Sequence, residues 1–178
     1  MDDCDLSSIE KGMMKPLKNL KYLSLRSNRF TEVPKGIADV PALEMLDLSA
    51  TQLTEVHRDS FRDDANITSI TLEDMELLMR IGNCAFCGIS NLTEVVLRNS
   101  TKLTTIDPNA FGEAEYSDDR IKTLEILDLS HTGIADLPKQ LVNWTSMKNL
   151  NLEGLPLNCS CETLKGPTFN YLADHPSP

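Results

Sequence analysis

The chain has 178 residues, and its 27 acidic residues outnumber its 17 lysines and arginines, which gives a formal charge of -10 at pH 7. Because no basic patch is concentrated along it, this charge argues against nucleic acid or an anionic membrane surface as a partner. Apolar runs such as MELLM are far shorter than the ~20 residues of a membrane helix, and the first ten residues lack the basic-then-apolar order of a signal peptide. The sequence therefore predicts no membrane span within these residues, and it leaves open whether one follows in a longer chain.

One hydrophobic pattern, L-x-x-L-x-L-x-x-N-x-L, recurs along nearly the whole chain. Its copies start near residues 20, 43, 67, 92, 124 and 147, at intervals of 23, 24, 25, 32 and 23 residues, and a partial copy occupies residues 1–19. We number the six copies as turns one to six and the partial copy as turn zero. The L-x-L core alternates with period two, which predicts a short strand in each turn, and a turn of this length must stack on its neighbours to bury its apolar face. The predicted fold is an α/β, right-handed leucine-rich repeat solenoid over residues 1–156 with a parallel β-sheet on its concave face.

Within each turn, pattern positions one, four and six are predicted to point into the core, and positions three, five and seven onto the concave sheet. Apolar residues in the second half of each turn are predicted to close the core from the convex side. They are Val33, Val56, Ile81, Ile106 and Leu137, followed by Ile37, Phe61, Phe86, Phe111 and Leu141.

Position nine of the pattern ordinarily holds an Asn whose amide satisfies backbone groups of the neighbouring turn. Here only Asn28 keeps that residue; Thr51, Ser100 and Thr132 offer a hydroxyl group, and Met75 and Leu155 offer no hydrogen bond. Turns three and six are therefore predicted to be the loosest. Turn four carries one extra residue before Leu103, which predicts a bulge in that bend.

The segment LPLNCSC, residues 155–161, resembles the motif N-P-L-x-C-x-C that opens the cysteine-rich C-terminal cap of the extracellular leucine-rich repeat family, with Leu155 in place of the Asn. In that family the two cysteines bond to two others further along the chain. The resemblance therefore implies that Cys159 and Cys161 form disulfides with partners outside this sequence, and that residues 157–178 are a truncated cap. Extending the repeat pattern backwards predicts that the chain begins inside a repeat, with Cys4 at position nine of turn zero and buried there.

Five N-x-S/T sequons, more than chance predicts, favour an extracellular or cell-surface location. They are at Asn66, Asn91, Asn99, Asn143 and Asn158. The segment NCAFCG contains Cys84 and Cys87 around a predicted core residue. It lacks the second pair of a zinc site and the βαβ setting of a redox motif, so either two small buried thiols or a local disulfide is expected.

The concave face is the predicted protein-binding surface, since stacked repeats build an extended concavity. Its outward positions mix isolated apolar residues with acids and two arginines able to clamp a carboxylate, and they include Ser49 and Ser130. The residues chosen as candidate contacts are Tyr22, Arg26, Met45, Asp47, Glu73, Val96, Arg98, Ile126 and Asp128. The alternative is an ordinary solvated face.

An acidic insertion, residues 112–123, carries a single aromatic residue, Tyr116, and is either a partner contact or a tolerated surface loop. His57, His131 and His175 have no serine, cysteine or carboxylate at catalytic spacing, and no glycine-rich phosphate loop is present. The sequence predicts no enzyme activity, no cofactor and no metal.

Resemblance to the extracellular family implies non-enzymatic recognition of a protein ligand or receptor, as an adhesion molecule, a matrix protein or the sensing part of a receptor. Two alternatives stay open. One is a cytosolic adaptor or scaffold subunit whose sequons are accidental, and the other is a spacer that holds other domains apart.

Overall fold

In the computed structural model, the described residues are 1–61, 66–112, 121–143 and 146–157. These ranges contain nine strands, one 3-10 helix at Lys35–Asp39 and no α-helix. The strands are β1 Tyr22–Ser24, β2 Met45–Asp47, β3 Glu55–Val56, β4 Ser69–Thr71, β5 Arg80–Ile81, β6 Glu94–Val96, β7 Thr105–Ile106, β8 Ile126–Asp128 and β9 Asn149–Asn151.

The six three-residue strands form one parallel sheet in the order β1-β2-β4-β6-β8-β9. Each strand occupies positions three to five of its turn, and neighbouring strands pair without a register shift. Position four consequently forms a continuous row of buried apolar residues, namely Leu23, Leu46, Ile70, Val95, Leu127 and Leu150. The predicted solenoid with a parallel concave sheet is confirmed.

The ten apolar residues predicted on the convex side are all buried, so the core closes as the sequence indicates. Three of them are aromatic and stack in successive turns. The Phe61 and Phe86 ring centroids are 5.8 Å apart, and those of Phe86 and Phe111 are 5.0 Å apart. Aromatic side chains bury a large area each, so this stack contributes a large part of the apolar surface buried in turns two to four.

A second parallel sheet, in the order β3-β5-β7, lies on the convex side, and the sequence pattern did not predict it. Its strands have two residues each, and the paired residues Glu55, Arg80 and Thr105 are exposed. Strands of two residues are too short to show the alternation of apolar and polar residues, which explains why the sequence did not predict this sheet.

Position eight of every turn has a positive φ, because the chain leaves the strand there and bends toward the convex side. The residues are Asp3, Ser27, Ala50, Asp74, Asn99, His131 and Gly154, with φ between 52° and 71°. Asp and Asn tolerate this left-handed conformation better than most residues, and glycine tolerates it best. This requirement helps to explain why small or polar residues occupy position eight.

Turn three differs from the predicted alignment. The pattern placed Leu77 at the last apolar position, but Leu78 is buried and Leu77 is 39% exposed. With Leu78 in that place, turn three carries the same extra residue as turn four, where Leu103 is buried as predicted. Two adjacent leucines made the alignment ambiguous, and the pairing of β5 with β3 and β7 decides it.

Asn28 satisfies five backbone groups, which is more than any other residue at position nine. Its Nδ2 donates to the carbonyl oxygens of Met1 at 2.9 Å, Leu25 at 2.9 Å and Arg26 at 3.2 Å. Its Oδ1 accepts from the backbone N–H groups of Leu6 at 2.9 Å and Cys4 at 3.2 Å. The amide thus ties turn zero to turn one.

The hydroxyl groups at position nine bond to fewer groups than Asn28, and those of Thr51 and Thr132 donate to backbone of their own turn rather than to that of the neighbouring turn. Thr51 and Thr132 each donate to the carbonyl oxygen three residues earlier, at 2.8 Å. Met75 has no polar side-chain atom that can donate, yet its backbone N–H donates to the hydroxyl of Ser100 in the next turn, at 3.3 Å. The neighbouring turn therefore supplies what Met75 lacks, and the looseness of turns three and six stays a prediction.

The prediction for Cys4 is wrong, because its side chain is exposed and its thiol is free. Its backbone N–H, rather than its side chain, joins the ladder through Asn28. Within the described residues no turn lies against the outer face of turn zero, so this position nine has no neighbour to cover it.

Cys84 and Cys87 form a disulfide, which was one of the two alternatives for this segment. Their Cα atoms are 4.9 Å apart. The bridge encloses Phe86, and the backbone N–H of Cys84 donates to the carbonyl oxygen of Asn109 in the next turn at 3.0 Å. The disulfide therefore fixes the bend that holds the central ring of the aromatic stack.

Candidate functional site

The concave sheet presents two rows of outward side chains in register across the six turns. Position three contributes Tyr22, Met45, Ser69, Glu94, Ile126 and Asn149. Position five contributes Ser24, Asp47, Thr71, Val96, Asp128 and Asn151. The predicted contact residues at these positions all lie on this face, and Arg26, Glu73 and Arg98 at position seven lie at its exit edge.

The apolar residues of this face fall into two groups. Tyr22 and Met45 pair directly across β1 and β2 and are 53% and 43% exposed. Val96 and Ile126 lie further along the sheet and are only partly exposed. The sequence predicted each of them as an isolated residue, whereas the structure pairs Tyr22 with Met45 and places Val96 and Ile126 diagonally on neighbouring strands.

Two predicted contact residues, Asp47 and Asp128, also support the backbone where each strand ends. Oδ1 of Asp47 accepts from the backbone N–H of Ser49 at 2.8 Å, and Oδ1 of Asp128 accepts from that of Ser130 at 2.9 Å. Ser49 and Ser130 were expected to face outward, but both are buried: the hydroxyl of Ser49 accepts from the backbone N–H of Glu73 at 3.0 Å, and that of Ser130 donates to Oδ1 of Asp128 at 2.6 Å. Part of the acidic character of the face thus serves the fold.

The two arginines are already paired with acids of their own chain. Arg98 contacts Glu73 through two nitrogen atoms, at 2.9 Å from Nε and 3.2 Å from Nη2. Arg26 reaches across turn two to Asp74 in turn three, with Glu73 4.0 Å away, and the small residues Ser49 and Ala50 leave room for it. The expected clamp for a ligand carboxylate is therefore occupied by Glu73 and Asp74.

Within this network the electrostatic shifts follow from the pairing. The hydrogen bond from Arg26 lowers the pKa of Asp74 below its ordinary value of 3.8, and a second hydrogen bond, from Asn99 at 3.2 Å, lowers it further. Reciprocally, the hydrogen bond to Asp74 raises the pKa of Arg26. Both groups stay charged at neutral pH, so the network bridges turns one and three as ions.

A pH dependence of stability follows from the lowered pKa of Asp74. Because the folded protein holds this proton less tightly than the unfolded chain, the ion pair stabilises the fold above pH 3.8 and its contribution disappears as the pH falls through and below that value. Asp74→Asn should slightly lower the free energy of unfolding measured in urea at pH 7, by well under about 1 kcal/mol, because both side chains are more than a third exposed. The difference from the parent should shrink progressively as the pH falls below 3.8.

Glu32→Gln is the matched control, since Glu32 is exposed and has no ion pair in the described part of the chain. This variant should show no such pH-dependent difference. A difference in unfolding free energy between Asp74→Asn and the parent protein that stays constant from neutral to acidic pH would contradict a stabilising role for the Arg26–Asp74 pair.

Beyond the arginines, the concave face opens into a hollow of about 870 Å³ over turns four to six, which we call the C-terminal hollow. Its lining residues are Glu73, Glu94, Val96, Arg98, Ile126, Leu127, Asp128, Asn149, Leu150, Asn151, Leu152 and Glu153. Among them, Glu94 and Glu153 were not chosen from the sequence. Their pattern positions, three and seven, already place both on the outward face, and the strand register adds that Glu94 lies beside Ile126.

The remaining sequence-based site residues are located as follows. The sequon residues Asn66, Asn91 and Asn99 are exposed, Asn143 is half-buried, and Asn158 lies outside the described residues. Whether any carries a glycan stays a prediction. Cys159, Cys161 and most of the insertion, including Tyr116, also lie outside the described residues, so the boundary between solenoid and cap stays a prediction as well.

Signs of other chemistry are few in the part of the chain that the structure describes. There, no group of three or more His, Cys, Asp or Glu side chains is placed to hold a metal ion. The same ranges contain no helix with the length and apolarity needed to cross a membrane. His57 and His131 are exposed, and His175 falls outside these ranges.

Curated relatives share the repeats. Lumican from Gallus gallus is 29% identical over 162 residues, which is 82% of this chain and 46% of lumican. Tsukushi from Gallus gallus is 25% identical over 149 residues, which is 83% of this chain and 38% of Tsukushi. The chain thus spans less than half the length of these relatives.

Solved structures share the fold. The octameric complex of Latrophilin 3, Unc5D and the leucine-rich repeats of FLRT2 contains a chain that matches with a TM-score of 0.60 at 18% identity, over 79% of this chain and 40% of that one. A TLR13–ssRNA13 complex matches with a TM-score of 0.60 at 21% identity, over 88% of this chain and 24% of that one.

Two family models cover nearly all of the repeat array. The model described as "Leucine rich repeat" matches residues 2–53 and 18–78, and the one described as "BspA type Leucine rich repeat region (6 copies)" matches residues 54–153. Together with the in-register parallel sheet, these matches lead to one conclusion: this chain belongs to the leucine-rich repeat family.

Proposed function

We propose that this repeat array binds another protein, without catalysis, through the concave face of its six-stranded sheet. The observation that carries the proposal is the exposed apolar pair formed by Tyr22 and Met45. A sheet face that leaves a tyrosine and a methionine about half exposed, side by side, gains free energy when a partner covers them.

The similar solved structures offer two classes of ligand. In the FLRT2 structure, leucine-rich repeats assemble with other proteins, and in the TLR13 structure the ligand is a single-stranded RNA. For the present chain, the formal charge of -10 and an acidic concave face disfavour a phosphate backbone. A protein partner therefore fits this surface better than a nucleic acid.

An extracellular or cell-surface location is part of the proposal. The Cys84–Cys87 disulfide suits an oxidising compartment, and three of the sequon asparagines are exposed. A cytosolic adaptor or scaffold is the alternative function. Two treatments of the protein from a secreting cell line distinguish these locations, namely digestion with an N-glycosidase and alkylation of thiols. An extracellular protein should lose mass with the glycosidase, and its Cys84–Cys87 pair should not react with the alkylating reagent. Unchanged mass with all thiols free would favour the adaptor.

Binding is tested by displaying the chain as a multimer on an array of recombinant cell-surface and secreted proteins. Met45→Ala should weaken any specific interaction about tenfold or more, because it removes a central apolar contact. Met79→Ala is the matched control, since Met79 is 53% exposed but lies next to β5, away from the concave face. Equal loss in both variants, or loss in the control alone, would contradict a concave binding site.

A further inference from the structure

Three carboxylates lie on a diagonal across the C-terminal hollow. Glu94 is at position three of turn four, Asp128 at position five of turn five and Glu153 at position seven of turn six. Each step of the diagonal moves one strand sideways and two residues along. With strands about 4.8 Å apart and about 3.3 Å per residue, successive carboxylate-bearing Cα atoms are roughly 8 Å apart.

No cation of the described chain neutralises this diagonal. Within those residues no lysine or arginine nitrogen lies within 4.0 Å of the carboxylates of Glu94, Asp128 or Glu153. The one basic residue that lines the hollow, Arg98, is held by Glu73. Glu94 accepts one hydrogen bond, from the hydroxyl of Ser69 at 2.9 Å, which leaves its charge uncompensated.

The diagonal runs between two apolar side chains. Ile126 pairs with Glu94 across β6 and β8, and Val96 pairs with Asp128 across the same strands, so that one apolar residue flanks the diagonal on each side. Both are partly exposed. A ligand that displaces water from Val96 and Ile126 would lower the local dielectric constant and so strengthen any ion pair formed with the neighbouring carboxylates.

An extended peptide matches this spacing. Alternate residues of a strand point to the same side and are about 6.6 Å apart, and the flexible stems of arginine or lysine readily span the remaining difference from about 8 Å. Their methylene groups would pack on Val96 and Ile126 while the charged ends reach the acids. An acidic or neutral segment would desolvate the three carboxylates without supplying a cation, which is unfavourable even though Ser69 donates a hydrogen bond to Glu94 and both Ser130 and Asn151 donate to Asp128.

We propose that the C-terminal hollow binds an extended segment of a partner protein that carries basic residues at alternate positions, each paired with one carboxylate of the Glu94–Asp128–Glu153 diagonal. This rests on the proposed function, because it assigns the chemistry of a partner segment on the same concave face. It differs from the proposed function in placing the charged contacts in turns four to six, whereas the Tyr22–Met45 pair belongs to turns one and two.

The experiment uses two synthetic probes, a blocked seven-residue peptide with arginine at three alternate positions and serine between them, and the same peptide with glutamate in place of arginine. Titration followed by the methyl NMR signals of Val96 and Ile126 should show saturable shifts with the arginine peptide only. Binding should weaken strongly between about 50 mM and about 500 mM salt, because ion pairs at an open surface are screened.

The double variant Glu94→Gln/Glu153→Gln should weaken peptide binding about tenfold, since neither side chain supports the backbone of the bend. The control, Glu32→Gln/Glu76→Gln, removes the same net charge at two exposed positions off the concave face and should leave the affinity within about twofold. Equal weakening by both variants would show attraction by net charge alone and would overturn the proposal.

Failure of this inference can be told apart from failure of the proposed function. If the arginine peptide does not shift the methyl signals of Val96 and Ile126, but an arrayed partner still binds in a manner that depends on Met45, the basic segment is excluded and concave recognition stands. If array binding is insensitive both to Met45→Ala and to Glu94→Gln/Glu153→Gln, both proposals are wrong.

Discussion

Phe86→Ala is expected to destabilise the protein by about 3–5 kcal/mol, the range for removing a fully buried aromatic ring. Phe86 is completely buried and is the middle ring of the stack, with Phe61 on one side and Phe111 on the other. Its loss leaves a cavity at two interfaces between turns at once. For a domain whose total stability is of the order of 5–15 kcal/mol, such a loss approaches the limit of folding.

Chemical denaturation with intact disulfides measures this effect, and Leu77→Ala in the same turn is its control. Leu77 is 39% exposed, so its truncation should cost less than about 1 kcal/mol. If Leu77→Ala were as damaging as Phe86→Ala, Leu77 would have to be a core residue, and the alignment of turn three described above would be wrong. Hydrogen exchange should rise most in turns two to four, because each turn contacts only its neighbours.

Most of the fold could be predicted from the sequence because each turn of a stacked repeat carries apolar residues at the same core positions. Every inward residue is repeated about two dozen positions later, so an error in one turn is corrected by the others. The prediction failed where that redundancy ends. Turn three offers two adjacent leucines, 77 and 78, and within the described residues the turn that holds Cys4 packs against another turn on one side.

The chemistry of the face was harder to predict, because it depends on contacts between turns. The sequence identifies Arg26 and Arg98 as outward residues, but it does not show that Asp74, 48 residues after Arg26, occupies one of them. Nor does it separate acids that cap a bend, such as Asp47, from acids such as Glu153 whose carboxylate has no cation within 4.0 Å among the described residues. Register between strands supplies that information, since it brings residues from different turns side by side.

Asn28→Ala is expected to destabilise turn zero by about 2–3 kcal/mol. The substitution removes hydrogen bonds to five backbone groups, of which the carbonyl of Leu25 is buried with the Asn28 side chain, while the carbonyl of Met1 and the N–H of Cys4 can bond to water instead. A buried polar group left without a partner costs about 1–3 kcal/mol, whereas an exposed one costs little. The loss should therefore be local, and the amide of Leu6 should exchange with solvent far faster while amides of β8 do not change.

Thr132→Val provides the comparison, because it removes a single hydrogen bond at the same position of turn five and keeps the shape of the side chain. That variant should lose about 1 kcal/mol of unfolding free energy, the usual contribution of one such bond.

Asn28→Asp separates the two halves of the amide: it keeps the acceptor for Leu6 and Cys4 and loses the donor to the three carbonyl oxygens. If Asn28→Asp protects the Leu6 amide as well as the parent does, the acceptor alone holds turn zero in place. If Asn28→Ala cost no more than Thr132→Val, the five contacts would add nothing beyond one hydrogen bond, and turn zero would be held by the packing of Ile9 and Met14 in the core.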